Sequence, residues 1–175
     1  MWKKVLLLLT HLLDTHPRRV YALICAICLG LLAFGLYLQH VVGLEPCPLC
    51  ILQRVAVFGA MGVLIAAIAH NPGATGQRVY AALGLLASLF GVGVAGRHVW
   101  LQHMPADQVP ACGPGLNYML DVFPLQDVVA MVLRGSGECA VVDWTFLGFS
   151  LAELTAVVFV GLGALFSVQI FRRDA

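Results

Sequence analysis

Four long apolar stretches, at 20–39, 51–69, 79–96 and 154–170, leave this chain few ways to fold. As helices rising 1.5 Å per residue, they are about 26–30 Å long, close to the thickness of a bilayer core. A backbone in lipid must satisfy its own hydrogen bonds, so spans are helices or closed barrels. The alternating pattern of barrel strands is missing. The apolar run 146–149 lengthens the last stretch. The spans are therefore expected at about 20–39, 51–69, 79–97 and 147–170, within one membrane domain covering 1–175. Composition agrees: 61% of residues are hydrophobic and 11% charged, against about 25% charged in soluble domains. A net charge of +1 offers no basic face, so no nucleic-acid partner is expected.

Lys3 and Lys4 precede an apolar run that Thr10, His11 and Asp14 soon interrupt. No small-residue cleavage site follows, so 5–13 is read as a short interfacial helix and not as a removed signal. Basic residues set the orientation. With both termini inside, Lys3, Lys4, Arg18, Arg19, Arg78, Arg172 and Arg173 lie on the inner side, and Arg54, Arg97 and Arg134 on the outer. Loops of about 40–50 and 98–146 then face outward, with Trp100 and Trp144 near the interface. Within the long loop, 118–133 reads as a short amphipathic helix on the outer surface, broken at Pro124, or as a packed loop helix without lipid contact.

Two motif matches fail on physical grounds. Gly91-Val-Gly93-Val-Ala-Gly96 fits a dinucleotide fingerprint, but it lies inside a span with no preceding strand. Its small residues suit close helix approach instead. Cys25-x-x-Cys28 and Cys47-x-x-Cys50 fit a four-cysteine zinc spacing. Yet Cys28 and Cys47 stand about 28 Å apart along one helix, and zinc–sulfur bonds are about 2.3 Å long. No metal site is expected.

Cys25 and Cys28 fall in the inner half of the first span and read as small buried hydrophobes. Cys47, Cys50, Cys112 and Cys139 fall on the outer side, where disulfides persist. They form two candidate pairs, and spacing does not fix which sulfur joins which. Cys47 and Cys50, in Glu45-Pro-Cys-Pro-Leu-Cys50, suit thiol–disulfide exchange or a clamp on the loop. Arg54 lies one turn deeper on the same helix face. There it either favours a Cys50 thiolate or reaches back to headgroups. His98, at the outer end of the third span, is either a proton or hydrogen-bond donor to something held between spans or a satisfied interfacial histidine. Glu153 is a weaker candidate. Cys112 and Cys139 sit among glycines in a mobile loop, as a partner-accessible pair or a staple.

These residues together resemble the disulfide bond formation protein B (DsbB) family over about residues 20–170. The resemblance rests on Cys47-Pro-Leu-Cys50 with Arg54, Arg97-His98, Cys112 with Cys139, and the run from Gly135-Ser-Gly-Glu-Cys139 to Asp143-Trp-Thr-Phe-Leu-Gly148. It implies an all-α, four-transmembrane-helix bundle in a bacterial inner membrane. Both termini are then cytoplasmic, and the long periplasmic loop contains a short amphipathic helix. It further implies a protein-dithiol:quinone oxidoreductase that re-oxidises a DsbA-like periplasmic thiol oxidase. The electrons pass to ubiquinone, with menaquinone as the alternative. Catalytic roles fall on Cys47, Cys50, Cys112 and Cys139, and Arg54 and His98 line the quinone site. In this pattern the partner attacks a Cys112–Cys139 disulfide at Cys112, Cys139 communicates with Cys47, and Cys50 meets the quinone. A vitamin K epoxide reductase-like oxidase has its C-x-x-C late in the chain, whereas here it is early. A scaffold with two structural disulfides and a transporter are the other readings; clear repeats or broken helices for the latter are lacking.

Overall fold

The computed structural model describes residues 17–105, 107–113 and 115–171. The expected interfacial helix at 5–13 lies outside the described residues. Among the described residues, four helices are long and apolar enough to cross a membrane: α1 (Pro17–His40), α2 (Pro48–His70), α3 (Ala74–Gln102) and α6 (Leu151–Phe171). Between α3 and α6 run α4 (Leu116–Val122), α5 (Leu125–Arg134), a 3₁₀ turn (Gly137–Ala140) and the strands β1 (Thr145–Phe146) and β2 (Phe149–Ser150). The chain is an all-α, multi-pass membrane protein. Large apolar side chains such as Leu23, Leu86 and Val157 are exposed on the helices, as expected of faces solvated by lipid rather than water.

The helix ends follow from local chemistry. Cys47 caps α2 and Pro48 occupies its first turn, where proline's missing N–H leaves no bond unmade. Asn71 closes α2 in the left-handed conformation (φ 45°), which asparagine tolerates. No proline or glycine follows Arg97 until Pro105, so α3 continues to Gln102, past the expected end near 97.

The fourth span differs from its expected range at the N-terminal end. Residues 147–150 are not helical. Thr145 pairs with Ser150 and Phe146 with Phe149 in an antiparallel hairpin. Leu147 (φ 53°) and Gly148 (φ 86°) form its turn, and two consecutive positive φ values suit a two-residue hairpin. Helix α6 starts after Ser150. The Ser150 backbone N–H donates to Glu153 Oε2 at 2.7 Å, and the Glu153 N–H donates to Ser150 Oγ at 3.2 Å. This reciprocal capping box fixes the helix start and gives Glu153 a structural task. Ser150 Oγ also donates to Gln102 Oε1 at 2.7 Å, tying the start of α6 to the end of α3.

Helix α3 packs against α6 and α2, while α1 leans on α2. Gly84 and Gly91 make the α3–α6 approach possible. A Cβ built on Gly91 stands 2.3 Å from the Phe159 ring, and one on Gly84 stands 2.4 Å from Phe166. Gly93 and Gly96 meet nothing within 4 Å, so close approach uses only the first glycine of the fingerprint-like run. One apolar cluster fills the bundle around Leu64, Phe159 and Phe166, and includes Cys28. A second lies under the long loop. There Val128 and Val132 of α5 and Met119 of α4 cover Leu49, Leu101, Cys47 and Cys139.

Candidate active site

The end of the bundle capped by the long loop gathers three sulfurs and an imidazole. Cys47, at the N-cap of α2, accepts from the Cys50 backbone N–H at 3.4 Å. Its thiol donates to Cys50 Sγ at 3.2 Å. The C-x-x-C spacing on a first helical turn produces this proximity, since positions three apart share a face. Cys139, wholly buried, is carried to the same place by the 3₁₀ turn. Its thiol is hydrogen-bonded to Cys47, and this bond, followed by burial, pushes the thiol well above its usual range. The Leu49 N–H also bonds to the Cys139 sulfur. All six cysteines are free thiols.

His98 comes from α3, 51 residues from Cys47. Its Nε2 lies 3.7 Å from Cys47 Sγ. Its Nδ1 lies 3.1 Å from Gln53 Nε2. Both His98 and Gln53 are buried. Gln53 was not among the residues picked out by sequence. The available signal was a lone amide three residues after Cys50, on the same face of an apolar span.

Arg54 turns toward α1. One terminal nitrogen donates to Gln39 Oε1 at 2.6 Å and the other to the Gly35 carbonyl at 3.1 Å. Gln39 is the second residue missed from sequence; it gave no signal beyond its place at a helix end. Arg97, next to His98 in sequence, points elsewhere and donates to the Arg134 carbonyl at 2.7 Å. A cation at this carbonyl complements the C-terminal end of α5.

Cys112, unlike Cys47 and Cys139, is exposed. Its segment lies against the 3₁₀ turn, where the Gly137 N–H donates to the Ala111 carbonyl at 3.4 Å. A Cβ on Gly137 would stand 2.9 Å from the Pro110 carbonyl oxygen and 3.1 Å from Cys112 Sγ. Glycine at 137 thus lets the two cysteine-bearing segments touch. Cys25 and Cys28 lie in α1, with Cys28 inside the bundle cluster.

Beside the sulfurs opens a cleft of about 380 Å³, lined by Cys47, Cys50, Arg54 and His98 at its polar end and by aliphatic side chains of α1, α2 and α6. Aromatic rings frame it. Trp144 meets Phe34 edge-on at 5.4 Å and stacks on Phe146 at 6.2 Å. Such an arrangement can exchange disulfides between adjacent sulfurs and present one of them to an amphipathic molecule in the cleft.

The family model for disulfide bond formation protein DsbB matches residues 17–169. Disulfide bond formation protein B of Nitrosococcus oceani is 55% identical over 148 residues, covering 85% of this chain and 88% of that one. Its counterpart in Hahella chejuensis is 51% identical over 156 residues, covering 89% and 94%. That of Acinetobacter baylyi is 60% identical over 122 residues, covering 69% and 71%. With its four membrane helices and clustered cysteines, the chain belongs to the disulfide bond formation protein B family.

Proposed function

We propose that this membrane oxidoreductase re-oxidises a DsbA-like thiol oxidase and passes the electrons to a membrane quinone. One observation carries the reading: Cys47 touches both Cys139 and Cys50 beside an apolar cleft. Exchange can therefore move from the loop to the membrane through a single sulfur.

In the oxidised starting state, Cys112 is bonded to Cys139 and Cys47 to Cys50. A thiolate of the reduced partner attacks Cys112, the exposed sulfur. A partner–Cys112 bond forms, the Cys112–Cys139 bond breaks, and Cys139 leaves with the electron pair. Cys139 then attacks Cys47, forming Cys139–Cys47 and releasing Cys50 as a thiolate. The partner's second thiol displaces Cys112, leaving the partner oxidised. Cys112 in turn displaces Cys47 from Cys139, which regenerates the Cys112–Cys139 disulfide and leaves Cys47 and Cys50 reduced. Two electrons have moved from the partner to the Cys47–Cys50 pair, and the thiol protons balance the thiolates. The strongly oxidising partner, at about −120 mV, requires a still stronger acceptor.

The cleft suits a quinone: it is mostly apolar, and its polar lining joins Cys47, Cys50, Arg54 and His98 with amides and the carboxylates of Glu45, Glu138 and Asp143. A quinone bound there supplies a two-electron, two-proton sink. Cys50 lines the cleft, Arg54 would hold an oxygen of the bound ring, and the Nε2 side of His98 lies beside the sulfurs. Ubiquinone is the expected species, with menaquinone the alternative. The basic Arg18 and Arg78 lie at the opposite end of the bundle from Cys47. That distribution supports cytoplasmic termini and periplasmic cysteines, and membership of the family supports placement in a bacterial inner membrane.

The test is anaerobic reduction of a short-chain ubiquinone analogue by purified protein and reduced DsbA. Loss of quinone absorbance, with matching DsbA oxidation and none with Cys50→Ser, is expected. Unchanged turnover by Cys50→Ser overturns the reading.

A further inference from the structure

Two thiols and an imidazole converging at one point form a soft-metal ligand set. The ligand atoms of Cys47, Cys50 and His98 lie within 4.8 Å of one another. The two sulfurs are 3.2 Å apart, and Cys47 Sγ is 3.7 Å from His98 Nε2. In a tetrahedral zinc site, bonds of about 2.3 Å to sulfur and about 2.0 Å to nitrogen hold ligand atoms roughly 3.5–3.8 Å apart. To seat an ion, the sulfur pair opens by about half an ångström, and Cys50 Sγ and the His98 ring, within 4.8 Å of each other, close by up to about 1.3 Å. We propose that Cys47, Cys50 and His98 of the reduced protein bind one zinc(II) ion, which holds the pair reduced and stops turnover.

The donor chemistry fits. Thiolate and imidazole are the usual zinc donors, and three protein ligands with a fourth open position form a common zinc arrangement. Both thiols lose their protons to solvent on binding, so the ion meets two thiolates and a neutral imidazole. The site borders the cleft, which provides an entry path and a water for the fourth position. Gln53 supplies the outer support. A zinc on Nε2 places the imidazole proton on Nδ1, and Gln53 can turn its amide to accept it through Oε1. The zinc spacing rejected from sequence paired Cys47 and Cys50 with Cys25 and Cys28. The histidine from α3, distant in sequence, is what completes a different set.

The site binds only when the Cys47–Cys50 pair is reduced, because a disulfide removes both thiolates. Zinc and oxidation therefore compete for the same two sulfurs. Binding itself is independent of the proposed quinone reaction; only its effect on turnover rests on that reading.

The experiment titrates full-length reduced protein in detergent with zinc(II) against a competing chelator, with metal counted by elemental analysis. A parallel titration with cadmium(II) follows the thiolate charge-transfer band. One zinc per chain and a cadmium band are expected. Both vanish when wild type is oxidised and return on reduction. Cys47→Ser and Cys50→Ser each lose more affinity than the roughly 10–100-fold drop typical of losing an outer partner, a drop expected of Gln53→Leu. Cys25→Ser keeps wild-type binding. Zinc retained by oxidised wild type or by Cys47→Ser overturns the site, as does no binding by reduced wild type. The oxidised wild-type arm needs no substitution, so a variant that misfolds leaves the test intact. Zinc binding without quinone reduction overturns the proposed function and leaves the metal site standing. Quinone reduction without zinc binding does the reverse.

Discussion

Gln53 Nε2 lies 3.1 Å from His98 Nδ1, joining α2 to α3 inside the bundle. With the amide nitrogen toward the ring, as in the metal-free protein, Gln53 donates and Nδ1 accepts. The neutral imidazole then carries its proton on Nε2, facing Cys47. The amide therefore sets whether the ring nitrogen that meets the sulfur carries the proton, a task that a residue of similar size without polar atoms cannot perform.

Gln53→Leu leaves Nδ1 of a buried histidine without its donor. Unfolding free energy is expected to fall by about 1–3 kcal/mol, measured by denaturant titration in detergent. Turnover is expected to fall as well, because the ring is free to place its proton on either nitrogen. Wild-type stability and turnover in this variant would show that the contact has no role.

Gly91→Ala pushes a methyl group into the Phe159 ring, which is fully buried. Overpacking of this kind costs about 1–3 kcal/mol. Gly93→Ala, where nothing lies within 4 Å, should change stability by less than about 0.5 kcal/mol or raise it slightly through helix propensity. Thermal unfolding of the pair of variants separates close packing from a generic need for glycine in α3.

The contrast between these glycines shows what was legible in the chain. Four membrane helices follow from hydropathy alone, because a backbone in lipid has few alternatives. The run 146–149 is as apolar as a span, so its hairpin was hidden. A leucine at positive φ does not announce a turn, whereas the Ser150-x-x-Glu153 capping pattern was a usable signal. Around the cysteines, spacing brings Cys47 and Cys50 together, since they share a helical turn. It does not reveal that Gln53 and His98 meet across 45 residues, nor that Arg54 finds Gln39. Those contacts depend on how α1, α2 and α3 rotate against one another.

The raised Cys139 thiol makes the stability of the reduced, metal-free protein depend on pH. The folded state keeps this proton through the bond to Cys47 and through burial, above the usual 9.0. The unfolded chain releases it near the usual value. The stabilisation is therefore fully present below about pH 9 and is lost as pH rises above it. Unfolding midpoints should fall between about pH 9 and about pH 11, with a shallower slope in Cys139→Ala. Equal slopes in the two proteins would contradict this assignment. Alkylation of the reduced protein at pH 8 or so should modify the exposed Cys112 before Cys139.

Arg54 is held by Gln39 at 2.6 Å. Gln39→Leu keeps the charge but removes this tether. The expected result is a raised apparent KM for the quinone analogue with little change in the rate of disulfide exchange with DsbA, measured separately by stopped flow under anaerobic conditions. Arg54→Ala should raise the KM further. If neither variant alters quinone kinetics, the arginine does not serve the cleft.

Cys47 is both the sulfur between two others and the cap of α2. Every change in its bonding is therefore felt by the first turn of that helix. When the sulfur enters a disulfide, its strength and direction as an acceptor for the Cys50 amide change, and the turn frays or tightens accordingly. Helix α2 thus carries an internal gauge of its own chemistry: deuterium uptake at the Cys50 amide should track the oxidation state of the protein with no added label.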